Sequence, residues 1–171
     1  MANRLFLSTI ALSTFVASTA LAQSAPGEQY LARVPGMSEY RIRRTETDSL
    51  GMTHTWADQL YHGVTVFGGE AIVHLKRDGS LSSTDEEAVL DLNVTGSVRY
   101  SAAQAITIAE NQALVLYGGR GEEKTTAELF VFRNGGRDRY AYFVQVGTLD
   151  TKDGDMLPAY LIDAETGTVS L

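Results

Sequence analysis

The sequence predicts an α+β protein of two small subdomains, and three observations predict it. Two blocks, Tyr40 to Leu81 and Ala127 to Val169, alternate apolar and polar residues in the manner of β-strands. Between them, Ala102 to Tyr117 carries apolar residues at the 3.6 spacing of one amphipathic helix. The breaks between strands are of hairpin length, which makes the sheets antiparallel.

The first element is a leader. A basic Arg4 precedes an apolar run from Leu5 to Val16, followed by Ala20-Leu21-Ala22, the three-part layout of a secretory signal peptide with cleavage expected after Ala22. Residues 23–36 contain Pro26 and Pro35 and little pattern, so they read as a leader arm, with order beginning near Tyr40. Tyr40 and Ile42 then alternate with arginines, Asp48-Ser49 and Gly51 turn the chain, and His54 to Tyr61 forms the next strand. Val64 to Phe67 and Ala71 to Leu75 are strands by propensity, separated by Gly68-Gly69, where a bulge or bend is allowed that β-branched residues would resist. Asp78-Gly79 supplies a tight turn, and a further strand or edge starts at Leu81.

From Ser82 to Val98 the chain is polar and acidic, and the boundary between residues 37–97 and 98–171 is placed at its end. Ser101-Ala102-Ala103-Gln104 is a capping box that opens the helix. Ala102, Ala105, Ile106, Ala109, Ala113 and Leu116 form its apolar stripe, and Gly118-Gly119 ends it. Strands follow at Ala127 to Phe132 and Tyr140 to Val146, joined by a turn at Asn134-Gly135-Gly136. A loop from Gly147 to Met156 leads to a strand from Leu157 to Asp163, and Glu165-Thr166-Gly167 turns toward Val169.

Composition excludes several kinds of function. There is no cysteine, so disulfide and thiolate chemistry are absent. The formal charge is −7, and loss of Arg4 with the leader deepens it by one, which disfavours nucleic acid and anionic lipid. Arg41, Arg43 and Arg44, and separately Arg133, Arg137 and Arg139, alternate with apolar or turn residues as on a strand's solvent face. No segment after the leader reaches the ~18 apolar residues of a membrane span. His54, His62 and His74 lack the spacing of a zinc motif, and the reading preferred for them is solvated or structurally hydrogen-bonded imidazole. The loop Asp150 to Asp155 misses the alternating-ligand pattern of a calcium loop, and Gly118-Gly119-Arg120-Gly121 follows a helix where a phosphate cradle would precede one. No serine sits on a G-x-S-x-G elbow. Asp85-Glu86-Glu87 is a solvated charge run, and no metal, cofactor or catalytic group is expected.

Two blocks carry a resemblance. Asp48-Ser49-Leu50-Gly51-Met52-Thr53-His54-Thr55-Trp56, then Gln59-Leu60-Tyr61-His62-Gly63-Val64-Thr65-Val66-Phe67-Gly68-Gly69, then Val73-His74, resembles the fungalysin/thermolysin propeptide (FTP) motif D-x-L-G-x-T-H, Q-x-Y-x-G-[IV]-P-V-x-G, V-H, with Thr65 in place of the usual proline. Ser101 to Leu171, with its alanine-rich helix, the strand Tyr140 to Val146 and the closing Leu161-Ile162-Asp163-Ala164-Glu165-Thr166-Gly167-Thr168-Val169, resembles a PepSY domain.

The resemblance implies a noncatalytic pro-region of a secreted or periplasmic thermolysin-like zinc metallopeptidase, which inhibits the enzyme, assists its folding as an intramolecular chaperone, or does both. A precursor would run on past Leu171 into a peptidase bearing an HExxH helix, and the peptidase partner is supplied in cis or in trans. Thr168, Val169, Ser170 and Leu171 would then enter or border the peptidase cleft, against the plainer reading of Val169 as an edge-strand core residue. The signature residues His54, Trp56, Gln59, Tyr61, Gly63, Val66, Phe67, Gly68, Gly69 and His74 are expected to be mainly structural, with Trp56 and Tyr61 in the core. A reading from another class is a free-standing envelope module on the same scaffold that binds a non-peptidase partner.

Overall fold

The structure, a computed structural model, describes residues 24–118, 124–151 and 154–170. The expected signal peptide, the Gly119 to Gly121 segment, Lys152-Asp153 and Leu171 therefore lie outside the described residues. The order of elements is α1 (Glu28–Leu31), β1 (Tyr40–Thr47), β2 (Thr53–Tyr61), β3 (Val64–Leu75), β4 (Leu81–Glu86), α2 (Ala102–Tyr117), β5 (Thr126–Asn134), β6 (Arg137–Gln145), β7 (Leu149–Thr151), β8 (Gly154–Met156), β9 (Ala159–Asp163) and β10 (Val169–Ser170). The class is mixed α and β, with strand predominating.

Eight of the strands form one sheet in the order β1-β2-β3-β5-β6-β9-β10, with β4 also on β3. All of its pairings are antiparallel except one: β3 runs parallel to β5 through Thr65↔Phe130 and Val66↔Val131. This departs from the expected purely antiparallel sheets. Hairpin-length breaks fix the sense of strands that follow each other, whereas β3 and β5 are separated by α2 and can meet in either sense.

β3 reaches both halves by bending. The two strands expected around Gly68-Gly69 are one continuous strand, and the bulge expected at the glycine pair is present as a slip in the β2·β3 register, from Asp58↔Glu70 to Leu60↔Thr65. On the C-terminal side of the slip, β3 pairs with β4 through Ala71 to Leu75; on the N-terminal side its neighbour is β5. Gly68 has φ +74°, and a Cβ on Gly69 would run into the Gln59 side chain. Both positions therefore need glycine, the first for its backbone angle and the second for space.

Two apolar clusters lie on the same side of this sheet. In the first, Leu31, Val34 and Met37 pack on Ala57, Ala71, Val73 and Leu75. The segment expected to be a leader arm is therefore folded from residue 24 onward, and its three large apolar side chains are the lid of that cluster. Gly27, at φ +84°, lets the chain pass close to Val73, and the Thr55 hydroxyl donates to the Pro26 carbonyl. In the second cluster, α2 lays Ala105, Ala109 and Ala113 against Tyr142, Val144, Tyr160 and Ile162. Small side chains at this helical spacing let the helix backbone approach the sheet closely. Val66 and Val131, register partners and both buried, fill the seam between the clusters.

The helix bounds and the capping box are as expected: Ser101 Oγ accepts from Gln104 N at 3.3 Å, and Ser101 N donates to Gln104 Oε1 at 2.9 Å. Gly118, at φ +76°, closes it with its N–H on Leu114 O. Leu116 departs from the expected buried stripe and is 48% exposed, beside an 80% exposed Val115, because the buried face narrows to the three alanines. Two further expectations are corrected. Asp85-Glu86, read only as part of a solvated charge run, is exposed but is also the end of strand β4, pairing with Ile72 and Ala71. The loop from Gly147 contains the small hairpin β7·β8. Residues 93–95 are tied to the second half by the buried Asp138, whose carboxylate pairs with Arg133 at 2.6 Å and accepts from Asn93 N at 2.8 Å, and whose backbone carbonyl accepts from Thr95 N–H at 3.2 Å.

Candidate functional site

Among the described residues, both clusters and both helices lie on one side of the eight-stranded sheet, and the other side is open. Strand alternation decides what that side presents. Its residues come from Arg41, Arg43 and Arg44 on β1, His54, Trp56 and Asp58 on β2, Glu70, Ile72 and His74 on β3, Phe130 and Phe132 on β5, and Arg139 and Phe143 on β6. The face has an ionic half and an aromatic half.

In the ionic half, Asp58 holds two guanidinium groups: Arg41 at 3.2 Å and Arg43 at 3.1 Å. Arg43 also reaches Glu70 at 2.6 Å. The bulge of β1 between Ile42 and Arg44 makes room for these adjacent arginines. Arg44 lies over the Trp56 ring, its guanidinium carbon 3.9 Å from the centroid, a cation–π contact. Trp56 is thus a half-buried residue of the open face, not of the core. The arginines considered as a basic patch are mostly engaged with acids, as are Arg133 with Asp138 and Arg139 with Asp163.

The aromatic half centres on Phe67, which is 42% exposed and stands edge-on to Phe130 and Phe132, with ring centroids 5.7 and 5.5 Å away, and tilted to Phe143 at 6.2 Å. These rings cross the β3·β5 joint, so the exposed side of the joint is apolar. Three adjoining concavities mark the face: one between Arg44, Trp56 and Ile72; one at the joint between Arg41, Glu70, Phe67 and Phe143; and one between Phe132, Arg139, Leu161 and Ser170.

The other signature residues serve the backbone. Gln59 is fully buried, its amide donating to Gly36 O and Val89 O and accepting from Val89 N, each at 2.8 Å. Tyr61 pairs with Val64 across the two-residue turn His62-Gly63, both at positive φ, +49° and +79°, as the turn between twisted strands requires. Tyr61 is half-buried, with His62 against its ring. Val66 is buried at the seam.

The histidines do not form a group of three. His54 and His74, however, are direct register partners, with their Nδ1 atoms 2.6 Å apart. His54 Nε2 lies 3.3 Å from Asp48 Oδ2, and His74 Nε2 lies 3.1 Å from Asp85 Oδ2. The Met52 N–H, with His54 and the Leu50 N–H, holds the Asp48 carboxyl below the usual carboxylate range. His62 is exposed on the β2–β3 turn. Among the described residues, no three histidine, aspartate or glutamate side chains are grouped to hold a metal ion.

At the chain end, Thr168 O accepts from Asp163 N at 2.9 Å, and Val169 and Ser170 pair with Ile162 and Leu161 as the last strand of the sheet. Val169 packs on the α2 cluster, while Ser170 faces the third concavity. Leu171 lies outside the described residues. The sequence reading missed the phenylalanine group and the Asp58 ion pairs. Phe130 and Phe132 were findable, since two residues apart on a strand share a face; Phe143 comes beside them through the antiparallel β5·β6 pairing, and Phe67 joins them only through the parallel β3·β5 pairing.

Residues 38–85 match the model of the Fungalysin/Thermolysin Propeptide Motif. The chain is 28% identical over 151 residues to bacillolysin of Bacillus cereus, covering 85% of this chain and 26% of that protein. It is 31% identical over 130 residues to thermolysin of Alicyclobacillus acidocaldarius subsp. acidocaldarius, covering 72% of this chain and 23% of that protein, and to the same extent to thermolysin of Bacillus caldolyticus. The chain thus spans about a quarter of the length of these curated relatives. No helix among the described residues is long and apolar enough to cross a membrane.

Proposed function

We propose that this chain is the pro-region, or a pro-region-like module, of a thermolysin-like zinc metallopeptidase, and that it acts without catalysis by binding the peptidase fold, inhibiting it, assisting its folding, or both. The observation that carries this is the propeptide motif at 38–85 in a chain similar to thermolysins and bacillolysin over most of its own length. Export by the N-terminal signal, and a PepSY identity for residues 98–171, belong to the same proposal.

A preorganised sheet face suits this role. It docks with little loss of conformational entropy, and a stable interface of ~1,600 Å² is within reach of such a face. By binding native-like peptidase better than unfolded chain, it also favours the folded enzyme. Thr168 to Leu171 would lead from the sheet edge toward the peptidase cleft. The partner acts in cis, from the same precursor, or in trans.

The test is titration of a thermolysin-like enzyme with the purified chain. Stoichiometric inhibition is expected, and deletion of 168–171 should weaken it at least tenfold while the circular dichroism of the remainder is kept. Rapid digestion without inhibition would instead favour a module for a non-peptidase partner.

A further inference from the structure

The geometry points to His54 and His74 as a two-histidine site for a borderline divalent metal ion, of the zinc, copper or nickel class, held in competition with a proton. This inference does not rest on the pro-region reading.

A carboxylate only accepts hydrogen bonds, so Asp48 and Asp85 each require an N–H on the Nε2 that faces them. A neutral imidazole has one N–H, which leaves a lone pair on each Nδ1. These lone pairs face each other across 2.6 Å. Two lone pairs at that distance repel unless a cation lies between them. A proton satisfies the arrangement as it stands: one Nδ1 donates, the other accepts, and the pair carries a single positive charge between two carboxylates.

The same arrangement suits a metal. Histidines that bind metals donate their second ring nitrogen to a carboxylate or carbonyl, which fixes the tautomer and raises the basicity of the ligating nitrogen. Asp48 and Asp85 occupy that outer position on both rings. Asp48 is itself fixed by the Met52 and Leu50 N–H groups, each at 2.9 Å. Two imidazole nitrogens suit zinc, copper or nickel and not calcium or magnesium, which prefer oxygen. Metal–nitrogen bonds of ~2.0–2.1 Å in tetrahedral geometry set the two nitrogens about 3.3 Å apart, so the rings must part by roughly 0.7 Å. The two side chains are 20% and 19% exposed on the open face, so water can complete the coordination.

The step balances as an exchange. Both Nδ1 atoms bond the ion, the shared Nδ1–H bond breaks, and one proton leaves to solvent, raising the charge of the site from +1 to +2 opposite the two carboxylates. Calorimetric titration of the chain with ZnCl₂ in two buffers of different ionisation enthalpy measures this directly. Saturable binding of one ion with about one proton released is expected. His54→Gln and His74→Gln should each weaken it at least tenfold, while His62→Gln leaves it unchanged. Asp85→Asn should weaken it ~10-fold or more through the outer shell. Copper gives a second readout, because His54 lies 5.8 Å from Trp56, the only tryptophan, whose fluorescence a bound Cu²⁺ would quench. Absence of saturable Zn²⁺ binding to the unmodified chain, or binding undiminished by both His54→Gln and His74→Gln, overturns the proposal.

Discussion

Gln59 shows how one polar side chain can organise a region of backbone. Its amide satisfies three backbone groups on two separate segments, at Gly36 and Val89, and its volume dictates glycine at position 69. Gln59→Ala would leave two carbonyls and one N–H without their partner in a closed site, each costing ~1–3 kcal/mol, so a loss of about 3 kcal/mol is expected in urea unfolding. A loss under 1 kcal/mol would mean that water takes over these bonds. The residue was named from the family resemblance alone. Nothing in its local sequence signals burial, since a glutamine between Asp58 and Leu60 on an alternating strand fits either face. Its partners lie 23 to 30 residues away. The same holds for His54 and His74: their chemistry appears only when the β2·β3 register sets them opposite each other, and register is a property of pairing.

The elements differ in how far local sequence decides them. The bounds of α2 were legible to the residue because both ends carry their own chemistry, a capping box at Ser101 and a left-handed glycine at Gly118. The hairpin turns at Asp78-Gly79 and Gly135-Gly136 were legible for the same reason, with Gly79, Gly135 and Gly136 all at positive φ. Segment 24–37 was not. Its helix has only four residues and no side-chain cap, and burial of Leu31, Val34 and Met37 depends on a surface supplied by β2 and β3. The Leu116 misreading has a similar origin, because periodicity gives the apolar side of a helix but not how far along it the neighbouring sheet extends. Where α2 is buried, the fit is close: Ala109 is fully enclosed. Ala109→Leu should therefore push the helix off the sheet and cost ~2–3 kcal/mol, whereas Val115→Gln, on the exposed side, should change stability by less than ~0.5 kcal/mol. Thermal unfolding of the two variants separates these outcomes.

For the whole molecule, two apolar clusters lie under one shared eight-stranded sheet, and the part that joins their two ends of the sheet is a single strand, β3. That sharing could not be read from either half, because the two rungs joining them form between residues with no pattern in common. A fragment ending at residue 97 keeps β1 to β4 yet loses the partner of β3 at Thr65 and Val66. It should expose an unpaired strand edge beside Phe67 and self-associate, which sedimentation velocity would detect as species larger than monomer; a clean monomer would show that the first half is self-sufficient. The joint also has a meaning in time. Phe130 must be synthesised and α2 placed before Thr65 finds its neighbour, so the long closure between them, and not the rapid winding of the helix, is expected to govern the folding rate. During that interval the early half waits with one flank unguarded, and a chain made slowly from its N-terminus spends longest in that condition.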